Sequence, residues 1–155
     1  MKTKTLLAGA LTALLLLTGL ALGQAGLNPN GRPAAKAGDY LGYLVWRDDN
    51  GWHVRWSTAK VVRGFSGSIQ AIGGTFLDAK GVGLESKTDH LSISPGLIKY
   101  SAKAAQHQDG IDFKLSPKTK LVRFELLIDG KPERERVIVG RGKQRPPSIP
   151  FEISP

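Results

Sequence analysis

Short apolar runs and turn residues alternate along the chain from Tyr40 onward. The turn residues recur roughly every eight to twelve positions, which is the spacing of an all-β sandwich or barrel. No segment carries the apolar stripe of an amphipathic helix, because the alanine-containing segment 101–108 covers only about two turns and lacks a bulky apolar face. The pattern therefore predicts an all-β fold, a single antiparallel β-sandwich of about nine or ten short strands.

The clearest predicted element is a hairpin formed by residues 40–47 and 51–58. Its turn contains Asn50-Gly51, and Asn-Gly supplies the positive φ values that a tight hairpin turn requires. Because side chains alternate between the faces of a strand, one face of the hairpin carries Tyr43, Val45, Arg47, Trp52, Val54 and Trp56. The opposite face carries Leu44, Trp46, His53 and Arg55. We expect Trp46 to stack with Arg55, and Trp52 and Trp56 to be buried if their face lines the core.

A second hairpin is predicted to join residues 120–128 to residues 133–140 through Asp129-Gly130-Lys131-Pro132. Its first strand alternates apolar and mainly charged positions, as a half-buried strand does. Glycines between the other apolar runs fit tight turns and bulges. Further strands are predicted at residues 64–72, 83–86, 90–94, 97–101, 111–115 and 149–153.

The N-terminus has the pattern of a signal peptide, since Lys2 and Lys4 precede an apolar run over residues 6–22. Small residues at Ala21 and Gly23 predict cleavage before Gln24, with Ala25 as the alternative. The run of 17 residues is borderline for a membrane-spanning helix, so an uncleaved N-terminal anchor is a second interpretation.

This pattern divides the chain into three predicted parts. They are a signal helix over residues 1–23, a flexible leader rich in Pro, Gly and Asn over residues 24–38, and the β-sandwich domain over residues 39–155. We therefore expect an exported protein that is periplasmic, at the cell surface or extracellular. Its only predicted contact with a membrane is through the signal segment.

Composition adds two constraints. The chain has 22 Lys and Arg against 13 Asp and Glu, and loss of Lys2 and Lys4 with the signal segment would leave 20 against 13, a net charge of about +7. The basic charge therefore belongs to the exported domain, where it attracts anionic partners. The chain has no cysteine, so disulfides, thiolate metal sites and a cysteine nucleophile are excluded, and a packed core must supply the stability.

Two groups of residues are candidates for ligand binding. An exposed patch formed by the hairpin tryptophans would stack on sugar rings and attract guanidinium groups, although tryptophans on a core-facing strand are usually buried. The segment 140–147 carries three cations within a Gly/Pro loop, which is also typical of a solvated connection. The candidate ligand-binding residues are Trp46, Trp52, Trp56, Arg55, Arg141, Lys143 and Arg145.

The residues that most often bind metals form no recognisable motif. His53, His90 and His107 lie in separate predicted elements, without the spacing that would place two imidazoles on one metal. The aspartates of segments 48–49 and 109–112 lack the regular alternation of oxygen ligands in a calcium loop. We interpret them as turn residues that bond to the backbone. No metal and no cofactor is predicted.

Catalysis has no sequence signature either, because the serine pairs Ser66/Ser68 and Ser92/Ser94 lack the context of a nucleophile elbow. No catalytic residue is predicted.

We expect an exported binding or structural module of the cell envelope or extracellular space, with an anionic envelope polymer, another glycan or an envelope protein as partner. Nucleic acid is not expected as the physiological partner of an exported protein. The alternative is a small secreted hydrolase or metal-binding protein whose site is assembled from residues distant in sequence.

Overall fold

The computed structural model describes residues 26–34, 42–58, 62–104, 108–142 and 144–155. In this part of the chain the structure is all-β, without helices, and two sheets pack against each other. Consequently the described residues include no helix of the length and apolarity needed to cross a membrane. The predicted signal helix and its cleavage site lie outside the described residues.

The described residues form eleven strands. They are β1 (Gly42–Asp48), β2 (Gly51–Ser57), β3 (Arg63–Ile72), β4 (Phe76–Val82), β5 (His90–Ser94), β6 (Leu97–Ala104), β7 (Gln108–Leu115), β8 (Leu121–Ile128), β9 (Lys131–Pro132), β10 (Val137–Val139) and β11 (Phe151–Ile153).

The strands are divided between two sheets. The first sheet has the order β10-β1-β2-β7-β4, and the second has the order β11-β8-β3-β6-β5 with β9 paired to β8. The predicted all-β architecture of packed sheets is confirmed and is consistent with a β-sandwich. The strand pairs are antiparallel except for one, in which β10 runs parallel to β1.

β1 and β2 form the first predicted hairpin with the predicted side-chain faces. Tyr43 pairs with Trp56, and Val45 pairs with Val54. The three tryptophan positions are therefore distributed between the faces as the alternation predicts. In the turn only Gly51 has a positive φ, of 121°, so the turn requires glycine at a single position.

The prediction of the second hairpin is wrong for its second strand. β9 contains only Lys131–Pro132, and the chain then crosses to the first sheet, where Val137–Val139 forms β10 beside β1. Val137 and Val139 are fully buried between the sheets, and the N–H of Tyr43 donates to the carbonyl of Arg136 at 2.8 Å. Burial of the two valines and pairing with β1 together hold the segment in the first sheet.

The prediction of a strand at residues 83–86 is also wrong. The strand in this region of the chain is β4. β4 pairs with β7, and the register shifts between Leu77 and Lys80. Asp78, inside this irregularity, has a φ of 52°. The bulge interrupts the alternation of apolar and polar positions on which the prediction depends. The predicted turn at Asp109 is likewise part of a strand, β7, and the side chain of Asp109 is buried.

The core lies between the sheets and is rich in aromatic rings. Trp56 stacks on Tyr100 with ring centroids 4.8 Å apart, and Phe124 stacks on Phe151 at 5.0 Å. The hydroxyl of Tyr100 donates to that of Tyr43, which in turn donates to the carbonyl of Leu127 at 2.6 Å. Burial raises the pKa of both tyrosines, so both phenols remain protonated and act as hydrogen-bond donors inside the core.

Residues 26–34, which fall within the predicted leader, lie along the edge of β1. Asn30 forms a parallel bridge with Arg47, next to the part of β1 that pairs with β10. The N–H of Gly31 donates to the Arg47 carbonyl at 2.9 Å, and the Arg47 N–H donates to the Pro29 carbonyl at 2.7 Å. We call residues 26–34 the N-terminal segment.

Candidate functional site

The outer face of the first sheet carries a cluster of polar and aromatic side chains from β1, β2 and β7. Trp46 lies opposite His53 in the β1–β2 pair, and His53 lies opposite Asp112 in the β2–β7 pair. Arg55 follows on the same face of β2. Pairing with β7 thus joins His53 to a carboxylate 59 positions away. We call Trp46, Asp48, His53, Arg55 and Asp112 the Trp–His–Asp cluster.

The ring of His53 has a carboxylate at each nitrogen. Nδ1 lies 2.7 Å from Oδ1 of Asp112, and Nε2 lies 2.9 Å from Oδ1 of Asp48. Arg55 also donates to Oδ1 of Asp112, at 2.6 Å. A doubly protonated ring donates to both carboxylates. Both ring nitrogens are therefore occupied by protein groups, which leaves neither of them directed at a substrate.

The two carboxylates of the cluster are stabilised in their ionised form. Burial, the largest single influence, raises the pKa of the Asp112 carboxyl, but the hydrogen bonds and charges of His53 and Arg55 together outweigh it and lower this pKa. The pKa of Asp48 is lowered for a similar reason, since hydrogen bonds from His53 and the Asn50 N–H outweigh burial. Both carboxylates are thus ionised at neutral pH, and Asp112 forms an ion pair with Arg55 within a network of hydrogen bonds.

We expect this network to weaken in acid. A carboxyl whose pKa is lower in the folded than in the unfolded chain adds stability above its unfolded pKa, about 3.9, and loses it as the pH falls through the folded pKa. Between about pH 5 and about pH 2, the free energy of unfolding should therefore fall less in Asp112→Asn than in the wild type. Urea denaturation at a series of pH values measures both curves. Asp49→Asn, which removes an exposed carboxyl outside the cluster, is the control, and parallel curves for Asp112→Asn and wild type would contradict the expectation.

Trp46 is covered on the outer face, although it lies on the side of the hairpin that faces away from the core. The His53 ring stacks on it with centroids 4.8 Å apart, and the predicted stack with Arg55 is confirmed at 5.5 Å. The guanidinium of Arg32, from the N-terminal segment, lies 5.6 Å from the indole centroid. Only 4% of Trp46 is exposed, so its ring faces are occupied by protein groups.

Trp52 and Trp56 belong to the core, as expected for a hairpin face that lines it. They are 3% and 0% exposed, and Trp52 packs on Phe113 and Phe124. An exposed stacking platform formed by the three tryptophans is therefore not present in this structure. The physical reason is that burial between the two sheets removes the largest apolar rings from water.

Two of the predicted basic residues, Arg141 and Arg145, follow β10 at the edge of the first sheet. Arg145 donates to Glu135 at 2.9 Å, so its charge is paired. Arg141 is exposed and lies beside Gly31, where a Cβ atom would come within 2.8 Å of its Nε. Lys143 lies outside the described residues. The structure thus pairs one of these cations and packs another against the N-terminal segment.

A cleft of about 380 Å³ lies beside the Trp–His–Asp cluster. Its walls come from the β1–β2 turn and from strands β2, β4 and β7. The residues that line it are Asn50, His53, Asp78, Lys80, Asp112, Phe113 and Lys114. The cleft therefore shares His53 and Asp112 with the cluster.

Asp78 and Lys80 are not among the predicted site residues, because the sequence pattern did not predict β4. The bulge between Leu77 and Lys80 places two polar side chains of an edge strand at the cleft. One signal was available in the sequence, namely the interruption of a largely apolar run by Asp78 and Lys80. Such an interruption is typical of a bulged edge strand, and bulges are frequent next to binding sites.

The candidate metal ligands are not brought together. Across the described ranges, no group of three or more His, Asp, Glu or Cys side chains is arranged to hold a metal ion. His90 is exposed on β5, and His107 lies outside the described residues.

Comparison of the chain with protein-family models, with curated proteins and with solved structures gave no match.

Proposed function

We propose that this protein is an exported binding module whose cleft, on the outer face of the first sheet, binds a sugar residue of a glycan. The proposal of export is based on the apolar N-terminal run that follows Lys2 and Lys4. The proposal of binding rests on one observation, the composition of the cleft. Two carboxylates, two ammonium groups, an amide and an imidazole line it together.

The charges of the cleft favour a neutral ligand. Asp78 and Asp112 balance Lys80 and Lys114, so the four side chains together carry no net charge. Carboxylates only accept hydrogen bonds, ammonium groups only donate, and the amide of Asn50 does both. A sugar ring presents hydroxyls that both donate and accept, and therefore matches this set. The volume lies within the range of roughly 300–1,000 Å³ that is typical of ligand pockets.

The walls of the cleft are held in place before a ligand arrives. Asp112 is held by His53 and Arg55, and Phe113 is anchored in the core. Asp78 has a left-handed backbone with a φ of 52°, which costs about 1–3 kcal/mol in a non-glycine residue and is frequent at binding sites. Groups that are already ordered lose less conformational entropy on binding.

The test is calorimetric titration of the protein with cellohexaose, chitohexaose, mannohexaose and xylohexaose. We expect at least one of them to bind, and Asp78→Asn to weaken that binding about tenfold, because a hydrogen bond to a charged group contributes about 1.5–3 kcal/mol. Asparagine tolerates the left-handed backbone at this position, so the variant should remain folded.

Asp49→Asn is the matched control. It removes an exposed carboxylate from the neighbouring turn, and Asp49 does not line the cleft. We expect its affinity to equal that of the wild type. The proposal is wrong if none of the four oligosaccharides binds, or if both asparagine variants weaken binding equally.

A second candidate function is hydrolysis, which one observation favours. His53, which lines the cleft, contacts two carboxylates, those of Asp48 and Asp112. Against this function, both nitrogens of His53 are engaged by those carboxylates, so the ring lacks the free nitrogen of a general base. Release of reducing ends from the same oligosaccharides, abolished in His53→Asn, would favour the hydrolase over the binding module.

A further inference from the structure

We propose that the outer face of the second sheet is a separate binding surface for a linear acidic polysaccharide. In this proposal Lys99 and Lys103 of β6 contact the carboxylates of the polymer. This face lies on the sheet opposite the cleft, and the inference does not depend on sugar binding there. The surface, which we call the β6 face, is formed by the outward positions of β3, β5, β6 and β8.

Serine is the most frequent residue at the centre of the β6 face. The register places Ser68, Lys99 and Ser92 in one row across β3, β6 and β5. Ser66 and Ser101 lie in the next row. All five side chains are at least partly exposed. Short hydroxyl side chains leave this part of the sheet low and flat between the longer lysines, so an extended polymer can approach the strand.

Two cations of the β6 face, Lys99 and Lys103, lie outside the ion pairs of the described residues. Of the carboxylates on or near it, Glu152 pairs with Arg123 and Asp129 pairs with Arg63. Glu125 accepts a hydrogen bond from Ser68 at 3.1 Å, and the buried carboxylate of Asp89 accepts from the backbone N–H groups of Glu85 and Lys103. Both of these carboxylates keep their negative charge. Within the part of the chain that the structure describes, no acidic side chain pairs with the ammonium group of Lys99 or Lys103. An anionic ligand would therefore meet two cations without displacing an existing ion pair.

The two cations are arranged along one line. Lys99, Ser101 and Lys103 share the outer side of β6, and four residues of strand separate the lysines by about 13 Å. A depression of about 480 Å³ lies over β5 and β6, and the polar residues that line it include Asp89, His90, Ser92, Lys99 and Ser101. A polymer lying along β6 would place carboxylates at both lysines and sugar hydroxyls against the serines between them.

The composition of the face favours a polysaccharide over a single-stranded nucleic acid. Proteins that bind single strands combine basic grooves with exposed aromatic rings on which bases stack. The aromatic residues of the strands in this sheet, Phe65, Tyr100, Phe124 and Phe151, are all buried in the core. Serine hydroxyls instead match the hydroxyls of sugar rings, since both groups donate and accept hydrogen bonds.

The test measures binding of the protein to immobilised polygalacturonate by surface plasmon resonance. We expect binding that weakens as salt rises from about 20 mM to about 150 mM, because exposed charges are screened over a shorter distance. The double variant Lys99→Gln/Lys103→Gln should bind about tenfold more weakly. Ser101→Glu, which places a carboxylate between the two lysines, should also weaken binding and provides a second variant at an exposed position.

Lys118→Gln/Lys120→Gln is the matched control, since it removes the same charge from exposed residues of the β7–β8 loop. We expect less than about a threefold change in this variant. Equal losses in the two double variants would assign binding to net charge alone and overturn the proposal. It is also overturned if the wild type does not bind polygalacturonate, or if it binds oligo-deoxythymidine at least as tightly. Asp78→Asn should bind polygalacturonate as the wild type does, which separates this surface from the cleft.

Discussion

Phe124→Ala is expected to lower the free energy of unfolding by about 3–5 kcal/mol. Phe124 is fully buried, and its ring packs between Phe151 at 5.0 Å and Trp52 at 5.9 Å. Truncation removes buried apolar surface and leaves a cavity between two large rings that cannot fully collapse. Urea denaturation at 25 °C measures the loss as a change in the transition midpoint multiplied by its slope.

Two further variants keep this test interpretable. Phe124→Leu retains most of the side-chain volume and should cost less than about 1.5 kcal/mol, so it remains measurable if the alanine variant does not fold. Leu77→Ala truncates a residue that is 47% exposed and should change the free energy of unfolding by less than about 0.5 kcal/mol. Comparable effects at Phe124 and Leu77 would show that Phe124 is not part of the core.

Gly140→Ala is expected to cause the second largest loss of stability. Gly140 has a φ of 67°, a conformation that costs about 1–3 kcal/mol in other residues. A Cβ atom at this position would lie 1.8 Å from the carbonyl oxygen of Asn28, so the backbone of the N-terminal segment must shift. We expect a loss of about 2–4 kcal/mol, because this displacement adds to the conformational cost.

Gly130→Ala separates the two causes of that loss. Gly130 has a φ of 75°, but a Cβ atom there would meet no atom within 4 Å. This variant should therefore lose only about 1 kcal/mol. Equal losses at Gly140 and Gly130 would contradict the packing of the N-terminal segment against Gly140.

The same variant has a spectroscopic readout. Arg32 of the N-terminal segment covers Trp46, so displacement of that segment in Gly140→Ala should increase acrylamide quenching of tryptophan fluorescence. Trp52 and Trp56 are buried between the sheets and should remain protected. Unchanged quenching in Gly140→Ala, with folded protein, would show that the segment stays on Trp46.

Local sequence rules were sufficient for the first hairpin. The alternation of side chains and the Asn50-Gly51 turn predicted which residues share each face, and the register of β1 and β2 agrees. The burial of Trp52 and Trp56 and the contact of Trp46 with Arg55 follow from those faces. These features were predictable because a short turn sets the register of its two strands, and every later pair then follows from the period of two.

The same rules did not predict two strands correctly. β4 contains a bulge at which Asp78 adopts a left-handed backbone, so its apolar positions do not alternate regularly. Val137–Val139 has the composition expected of a strand, but its place beside β1 in the other sheet depends on packing in the core. The choice of partner strand is set by contacts between distant parts of the chain, for which no short pattern is available.

The candidate site depends even more on distant contacts. Residue types and alternation placed Trp46, His53 and Arg55 on one face of a hairpin. Only the tertiary structure decided that Asp112 reaches His53 across 59 positions, and that β4 brings Asp78 to the same cleft. An ionisable side chain acquires its partners when its strand pairs with another strand, and it loses contact with water when the sheets pack. Strand pairing and burial both depend on the packing of the two sheets, and not on the residues next to that side chain in sequence.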